Sequence, residues 1–410
     1  TRCHRVTGVQ TCALPIYPLK KRRITMKRKV IGVVLSVAMV ASMLAGCGSS
    51  DSSSTTSTDA ATEEKTDDTA DAAAEESGDK KFKIGVAMKT QDGPYFVALA
   101  NGLVEQCVEQ GLVDKAEDVV VLNANMDVTK QTENFETFVT QDYDMIFCDC
   151  IDPDNVIADE KNAMDAGIPV INVDSGVNES HCVTTVYSDN KQNGRACGLS
   201  YAEFMGDKEI YSIMLSGEKG NVAGNERRQG LICGILEQRL GISEEEAWKM
   251  TEEADATLLS TGSYTNEEAK FTIAGQGWGN WTVNDILNDA NDLVVKTKDK
   301  LNTMFGENDQ MLFGGMQAAS DAGLTGIYYV AAADGAKEAY DYIKGDKTTE
   351  SGEYYCTGEN SPVQVAIKAV GIAKEILVDG KDMNSYDEVT LTDAVCVTKD
   401  NVDERYEYGF

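Results

Sequence analysis

Histidine is almost missing from this chain: His4 and His181 are the only two among 410 residues. No Cys-x-x-Cys pair and no Gly-x-Ser-x-Gly elbow occurs. Zinc held by paired cysteines and histidines, and hydrolysis by a serine–histidine couple, therefore have no visible basis. The loop Gly217-Glu218-Lys219-Gly220 lacks the Gly-Lys-Ser/Thr ending of a P-loop, so it reads as a strand-to-helix turn and not as a phosphate cradle. Nothing in the sequence asks for a catalytic residue, a metal or a cofactor. Acidic residues are absent from positions 1–46, which carry nine Lys/Arg, while the rest of the chain carries 28 basic residues against 68 acidic ones. A body this negative repels phosphate backbones and anionic lipid, which speaks against a nucleic-acid partner.

The basic start reads as an export signal. Met26-Lys27-Arg28-Lys29 is a short positive segment, and Val30 to Ala45 is an apolar run too short for a comfortable membrane span. It ends in Leu44-Ala45-Gly46-Cys47, which resembles the bacterial lipobox. That resemblance implies cleavage before Cys47, lipidation of its thiol, and tethering at the outer face of the cytoplasmic membrane. Residues 26–46 are thus expected to be a lipoprotein signal peptide. Residues 1–25 show no periodicity, and Thr7 to Ile16 looks like translated sequencing-adapter sequence, so they read as a non-native leader. Residues 47–80 are Ser, Thr, Asp, Glu and Ala with no large apolar side chain after Cys47; they are expected to form a disordered acidic tether. Beyond Cys3, Cys12 and Cys47, eight cysteines remain, mostly inside apolar runs where small buried residues belong. Free thiols on an exported chain suggest an anaerobic source.

From Lys81 onward, short apolar runs alternate with amphipathic segments. Strands are expected at 83–88, 119–122, 145–149, 169–173, 183–187, 210–215, 271–275, 302–306, 326–331, 353–357 and 390–397. Helices are expected between them, and residues 241–270 read as an acidic insertion of helix and loop. Alternation of this kind predicts an α/β fold with parallel sheets covered by helices on both faces, and its length calls for two doubly wound lobes. Ligands of such sheets sit beyond the carboxyl ends of strands. Those positions are polar: Asp92, Asp149, Asp174, Glu218, Asn308, Asp309 and Asp334.

The runs IGVAMKTQDGPYFVALANG, AMDAGIPVINVDS, VYSDNKQNG, GNVAGNERRQG, FGENDQMLFGGMQAASDAG and AAADGAKEAYDYIKGD resemble, in order, the ribose- and galactose-type periplasmic sugar-binding proteins. The resemblance spans Lys81 to Val397 except the insertion. It implies a type I periplasmic binding protein fold with a three-crossover hinge, an N-terminal lobe of 81–188 plus 361–393, and a C-terminal lobe of 189–360 plus 394–410. It also implies capture of a monosaccharide or related polyol by a monomer, with delivery to an ABC permease driven by a cytoplasmic ATPase.

By position, the family's ligand contacts fall on Asp92, Tyr95, Phe96, Asp149 and Asp174 in the first lobe and on Arg227, Trp281, Asn308, Asp334 and Asn360 in the second. Each type suits a sugar: aromatic faces cover C–H faces, carboxylates accept from paired hydroxyls, and a guanidinium donates as a fork. Arg228 and Asp309 are expected to be a solvated helix residue and a helix cap, and Trp278 competes with Trp281 for the stacking position. Gly93, Ser175 and Asn360 depart from the ribose pattern. Four carboxylates then face one cation, Arg227, so either some point away or the ligand is positively charged, as an amino sugar is. A membrane-tethered sugar receptor for a chemosensory or kinase partner shares these features, as does, more distantly, an extracellular glycoside hydrolase. A sugar-responsive transcription regulator would need a DNA-binding unit that residues 48–80 cannot form.

Overall fold

The computed structural model describes residues 81–174 and 180–410. The leader, the signal segment with Cys47, the tether and Ser175 lie outside the described residues. In chain order the elements begin with β1 Ile84–Met88, α1 Pro94–Glu109, β2 Val119–Asn123, α2 Val128–Thr140, β3 Met145–Cys148, α3 Val156–Asp165, β4 Val170–Val173 and β5 Thr184–Ser188. Next come α4 Asn190–Met205, β6 Ile210–Ser216, α5 Val222–Leu240, α6 Glu244–Thr261, β7 Tyr264–Asn266, β8 Phe271–Trp278, α7 Val283–Thr297, β9 Thr303–Gly306, α8 Asp309–Asp321, β10 Ile327–Ala331, α9 Lys337–Lys344 and β11 Gly352–Gly358. The chain closes with α10 Pro362–Leu377, β12 Val389–Thr392, β13 Cys396–Val397 and α11 Val402–Arg405.

Two sheets result, in the orders β12-β5-β4-β3-β1-β2 and β13-β11-β10-β9-β6-β8-β7. Every pairing is parallel except β7 with β8 and β11 with β13. The α/β class and the doubly wound lobes are those the alternation predicts. Strands such as Ile84–Met88 and Met145–Cys148 are buried along their whole length, as strands covered on both faces must be. Helix starts are set by short acceptors: Asp127, Asp189, Asn221, Ser243, Thr282, Asn308 and Ser361 each accept from a backbone N–H of the first turn. The chain passes between sheets three times, after β5, after β11 and after β12.

Two expectations change here. The run 390–397 is not one strand: Val389–Thr392 pairs with β5 in the first sheet, and Cys396–Val397 pairs with β11 in the second. Asp393 interrupts the run, but the sequence does not report which sheet each half joins. The insertion is also more regular than its composition suggests. It holds the 18-residue helix α6, opened by a capping box between Ser243 and Glu246, and β7, which extends the second sheet.

Helices α4 and α5 touch backbone to backbone. A Cβ on Gly194 would meet Arg227 O at 2.4 Å, one on Gly198 would meet Leu231 O at 2.4 Å, and one on Gly230 would meet Lys191 O at 2.3 Å. Glycines four apart on both helices, Gly194/Gly198 and Gly230/Gly234, make that approach feasible.

Candidate functional site

Each sheet has a switch point where strand order reverses, between β1 and β3 in the first and between β6 and β9 in the second. The residues that follow these strands and their neighbours form the site. Asp149 follows β3 and is fully buried; Asp174 follows β4 with a left-handed backbone at φ 67°. Between them lies Lys89, the first residue after β1, whose Nζ is 2.9 Å from Asp149 Oδ1 and 2.9 Å from Asp174 Oδ2. Burial alone would lower the Lys89 pKa, but the two carboxylates outweigh it and raise it, so the ammonium stays charged. Burial pushes Asp149 up to about 8, against the pull of Lys89 and with a further push from Asp174. The Lys89 ammonium also lies 4.8 Å from the centre of the Phe96 ring.

Tyr95 and Phe96 stand in the first turn of α1, which begins at Pro94, a proline placed where no N–H is needed. Burial raises the Tyr95 hydroxyl pKa, and so do Asp174, Asp149 and Asp334, so this one ring lies within the field of acids from both lobes. Its edge meets the Phe410 ring with centroids 5.5 Å apart, and Phe410 O accepts from Lys337 N of the second lobe. Asp92 is exposed, and its backbone N–H donates to Thr90 Oγ1; it is not drawn into the cluster.

The second lobe supplies the opposing half. Arg227 is buried on α5; its Nη1 lies 3.0 Å from Asp334 Oδ1, and its Nε donates to Asn190 Oδ1 at 2.9 Å. Asn360 Nδ2 donates to the same Asp334 oxygen at 3.3 Å. The Trp281 ring lies 5.6 Å from the Arg227 guanidinium and rests on Gly217, where a Cβ would come within 2.4 Å of the indole. Trp281 holds a left-handed backbone at φ 68°, the turn that aims the ring inward. Trp278 instead lies beside Lys219.

Two expectations are overturned here, and one open choice is narrowed. Asn308, and not Asp309, caps α8: its Oδ1 accepts from Met311 N at 3.0 Å, and its Nδ2 donates to Trp281 O at 3.4 Å. Asp309 is buried one residue on and accepts from five donors: Tyr354 and Thr357 hydroxyls at 2.7 Å each, and the N–H groups of Asp334, Gly335 and Ala336. It therefore clamps the turn that carries Asp334. Arg228 is not solvated but fully buried, ion-paired with Asp255 of α6 and with Glu307 after β9. Finally, of the two readings of the carboxylate excess the first is favoured: Asp92 is exposed, and Lys89 stands as a second cation beside Asp149 and Asp174.

Sequence reasoning missed Lys89 although it directly follows a strand read as ending at Met88; the strand-end rule applied without preference for acceptors would have found it. Two surface depressions, one lined by Tyr143, Ile168 and Met383 and the other by Met250, Thr257 and Tyr264, share no residue with this cluster. His181, the only histidine among the described residues, is exposed.

The sequence pattern of the periplasmic binding protein domain matches residues 84–382. The ribose import binding protein of Bacillus subtilis is 25% identical over 272 residues, 66% of this chain and 76% of the relative. A xylitol-binding protein of Mycolicibacterium smegmatis is 24% identical over 297 residues, 71% of each chain. Among solved structures, an ABC transporter solute-binding protein from Mycobacterium smegmatis with bound glycerol aligns with a TM-score of 0.58 at 24% identity, covering 79% of this chain and 96% of that one.

Proposed function

We propose that this chain, which belongs to the periplasmic binding protein family, captures a neutral monosaccharide or related polyol between its lobes and delivers it to an ABC permease. Membership of this family implies an extracytoplasmic location, and the family's members bind transport substrates. The observation that carries the reading is the opposition of two polar half-sites about Tyr95: Lys89, Asp149 and Asp174 on one side, Arg227, Asp334 and Asn360 on the other. Carboxylates accept from neighbouring hydroxyls, the guanidinium and amide donate, and Tyr95, Phe96 and Trp281 offer ring faces. Asn308 has an amide N–H₂ to share. The charges are nearly balanced within the site, which suits an uncharged ligand such as those named for the relatives.

The lobes divide as 81–188 plus 361–393 and 189–360 plus 394–410, in a monomer held to the membrane through Cys47. Cys47→Ser should release the protein into the medium, and mass spectrometry of the parent should find acyl chains on Cys47. The sugar assignment is tested by thermal shift and calorimetry against pentoses, hexoses, polyols and amino sugars. Stabilisation by a neutral sugar or polyol, lost in Arg227→Lys by about 10–100-fold in affinity, is expected. Response to amino sugars alone, or to none of these compounds, would overturn it.

A further inference from the structure

Three cysteines from three separate segments meet away from the sugar site. Cys197 lies on α4, Cys356 on β11 and Cys396 on β13; their sulfur atoms all lie within 4.8 Å of one another. Cys197 and Cys356 are fully buried, and Cys396, on the short strand β13, is half-buried. A metal–sulfur bond of about 2.3 Å places three trigonal thiolates about 4 Å apart, close to this spacing.

The surroundings hold the thiols in place. Antiparallel pairing sets Cys396 opposite Gly358, two residues from Cys356. On either side, Val395 N donates to Asn193 Oδ1 at 2.9 Å, and Asn401 Nδ2 donates to Cys396 O at 3.1 Å. Asn193 belongs to the same helix as Cys197, one turn earlier, so one element fixes both the helix thiol and the strand that carries its partner. Ligands locked by packing and by outer hydrogen bonds are what a binding site requires.

We propose that Cys197, Cys356 and Cys396 form a trigonal thiolate site for Cu(I). Sulfur ligands select soft cations. Among the described residues no histidine or carboxylate joins the three to complete the four-ligand shell that zinc prefers. On binding, metal–sulfur bonds form and each ligating thiol gives its proton to solvent. The bound ion would tie β13, the landing point of the last passage between lobes, to α4 and β11 of the second lobe.

The test uses the full chain with Cys3→Ser, Cys12→Ser and Cys47→Ser, reduced and titrated without oxygen against Cu(I) held by a bicinchoninate chelator. One equivalent should leave the chelator, and X-ray absorption should count three sulfur neighbours at about 2.3 Å. Cys396→Ser and Cys197→Ser should each lose that equivalent while keeping the parent circular dichroism, and Cys182→Ser should retain it. No copper withdrawn, retention in Cys396→Ser, or loss in Cys182→Ser would overturn the proposal. If both serine variants fail to fold, the sulfur count on the parent decides: three supports the site and two refutes it.

Discussion

Lys89 shows how one side chain can reverse an electrostatic argument. Counting only Arg227, the site looks too negative for a neutral ligand; with Nζ 2.9 Å from both Asp149 and Asp174, it is nearly balanced. Removing one partner of a buried ion pair leaves the other charge unpaired and costs about 3–5 kcal/mol. Lys89→Met should therefore destabilise the fold in urea denaturation, by more as pH rises past about 8 and Asp149 ionises, and should lose sugar binding with it.

Asp309 gives a pH-dependent test. Burial, with the charge of Asp334 beside it, pushes its carboxyl up from 3.8 to about 6, against the pull of its donors. The folded chain then holds a proton that the unfolded chain has released, so this group's contribution to stability is full below pH 3.8 and declines as pH rises to about 6. Asp309→Asn lacks that decline. Beyond a uniform cost for losing the clamp, its deficit relative to the parent should shrink by about 2–3 kcal/mol across this window, measured by urea unfolding at each pH. The acceptors Asp149, Asp174 and Asp334 were legible because apolar runs stop abruptly at them. The Asn308–Asp309 roles were not, because two adjacent short polar residues are equally good caps on paper, and only three-dimensional packing decides which carboxylate is buried.

At the level of elements, the helices' existence and order were readable from their periodicity, but their pairing was not read. The signal was present: Gly194/Gly198 and Gly230/Gly234 repeat at a spacing of four, the spacing of one helix face. The position of Arg227 depends on this contact, since Asn190 on α4 holds its Nε. Gly198→Ala, one turn further from that bond, should destabilise the fold by about 1–3 kcal/mol through overpacking, read by equilibrium denaturation. The buried state of Arg228 was beyond sequence reasoning, since its partner Asp255 is 27 residues away in a helix read as an insertion. That insertion thus reaches the core of the second lobe and stabilises the helix beside the site.

For the whole molecule, the doubly wound lobes follow from strand–helix alternation, and the family from wording at the strand ends. The split between β12 and β13 did not follow, because both halves of 390–397 are short and β-prone and only the three residues 393–395 mark the change of sheet. In this structure Tyr95 of the first lobe meets Phe410 and the field of Asp334 from the second. Ligand should shift the population toward such a closed arrangement, with a smaller radius of gyration in solution scattering on adding the sugar found by thermal shift. An unchanged radius at saturation would remove hinge closure from the account.

The last passage between the sheets has a further consequence. Only residues 393–395 separate β12 from β13, a leash of about 10 Å when stretched. At this crossing the two sheets cannot part by more than that length, so opening the lobes swings them about a point where they stay close. A permease that grips both rims therefore needs no separate device to eject the cargo, since prising the rims apart and unloading the sugar become the same movement.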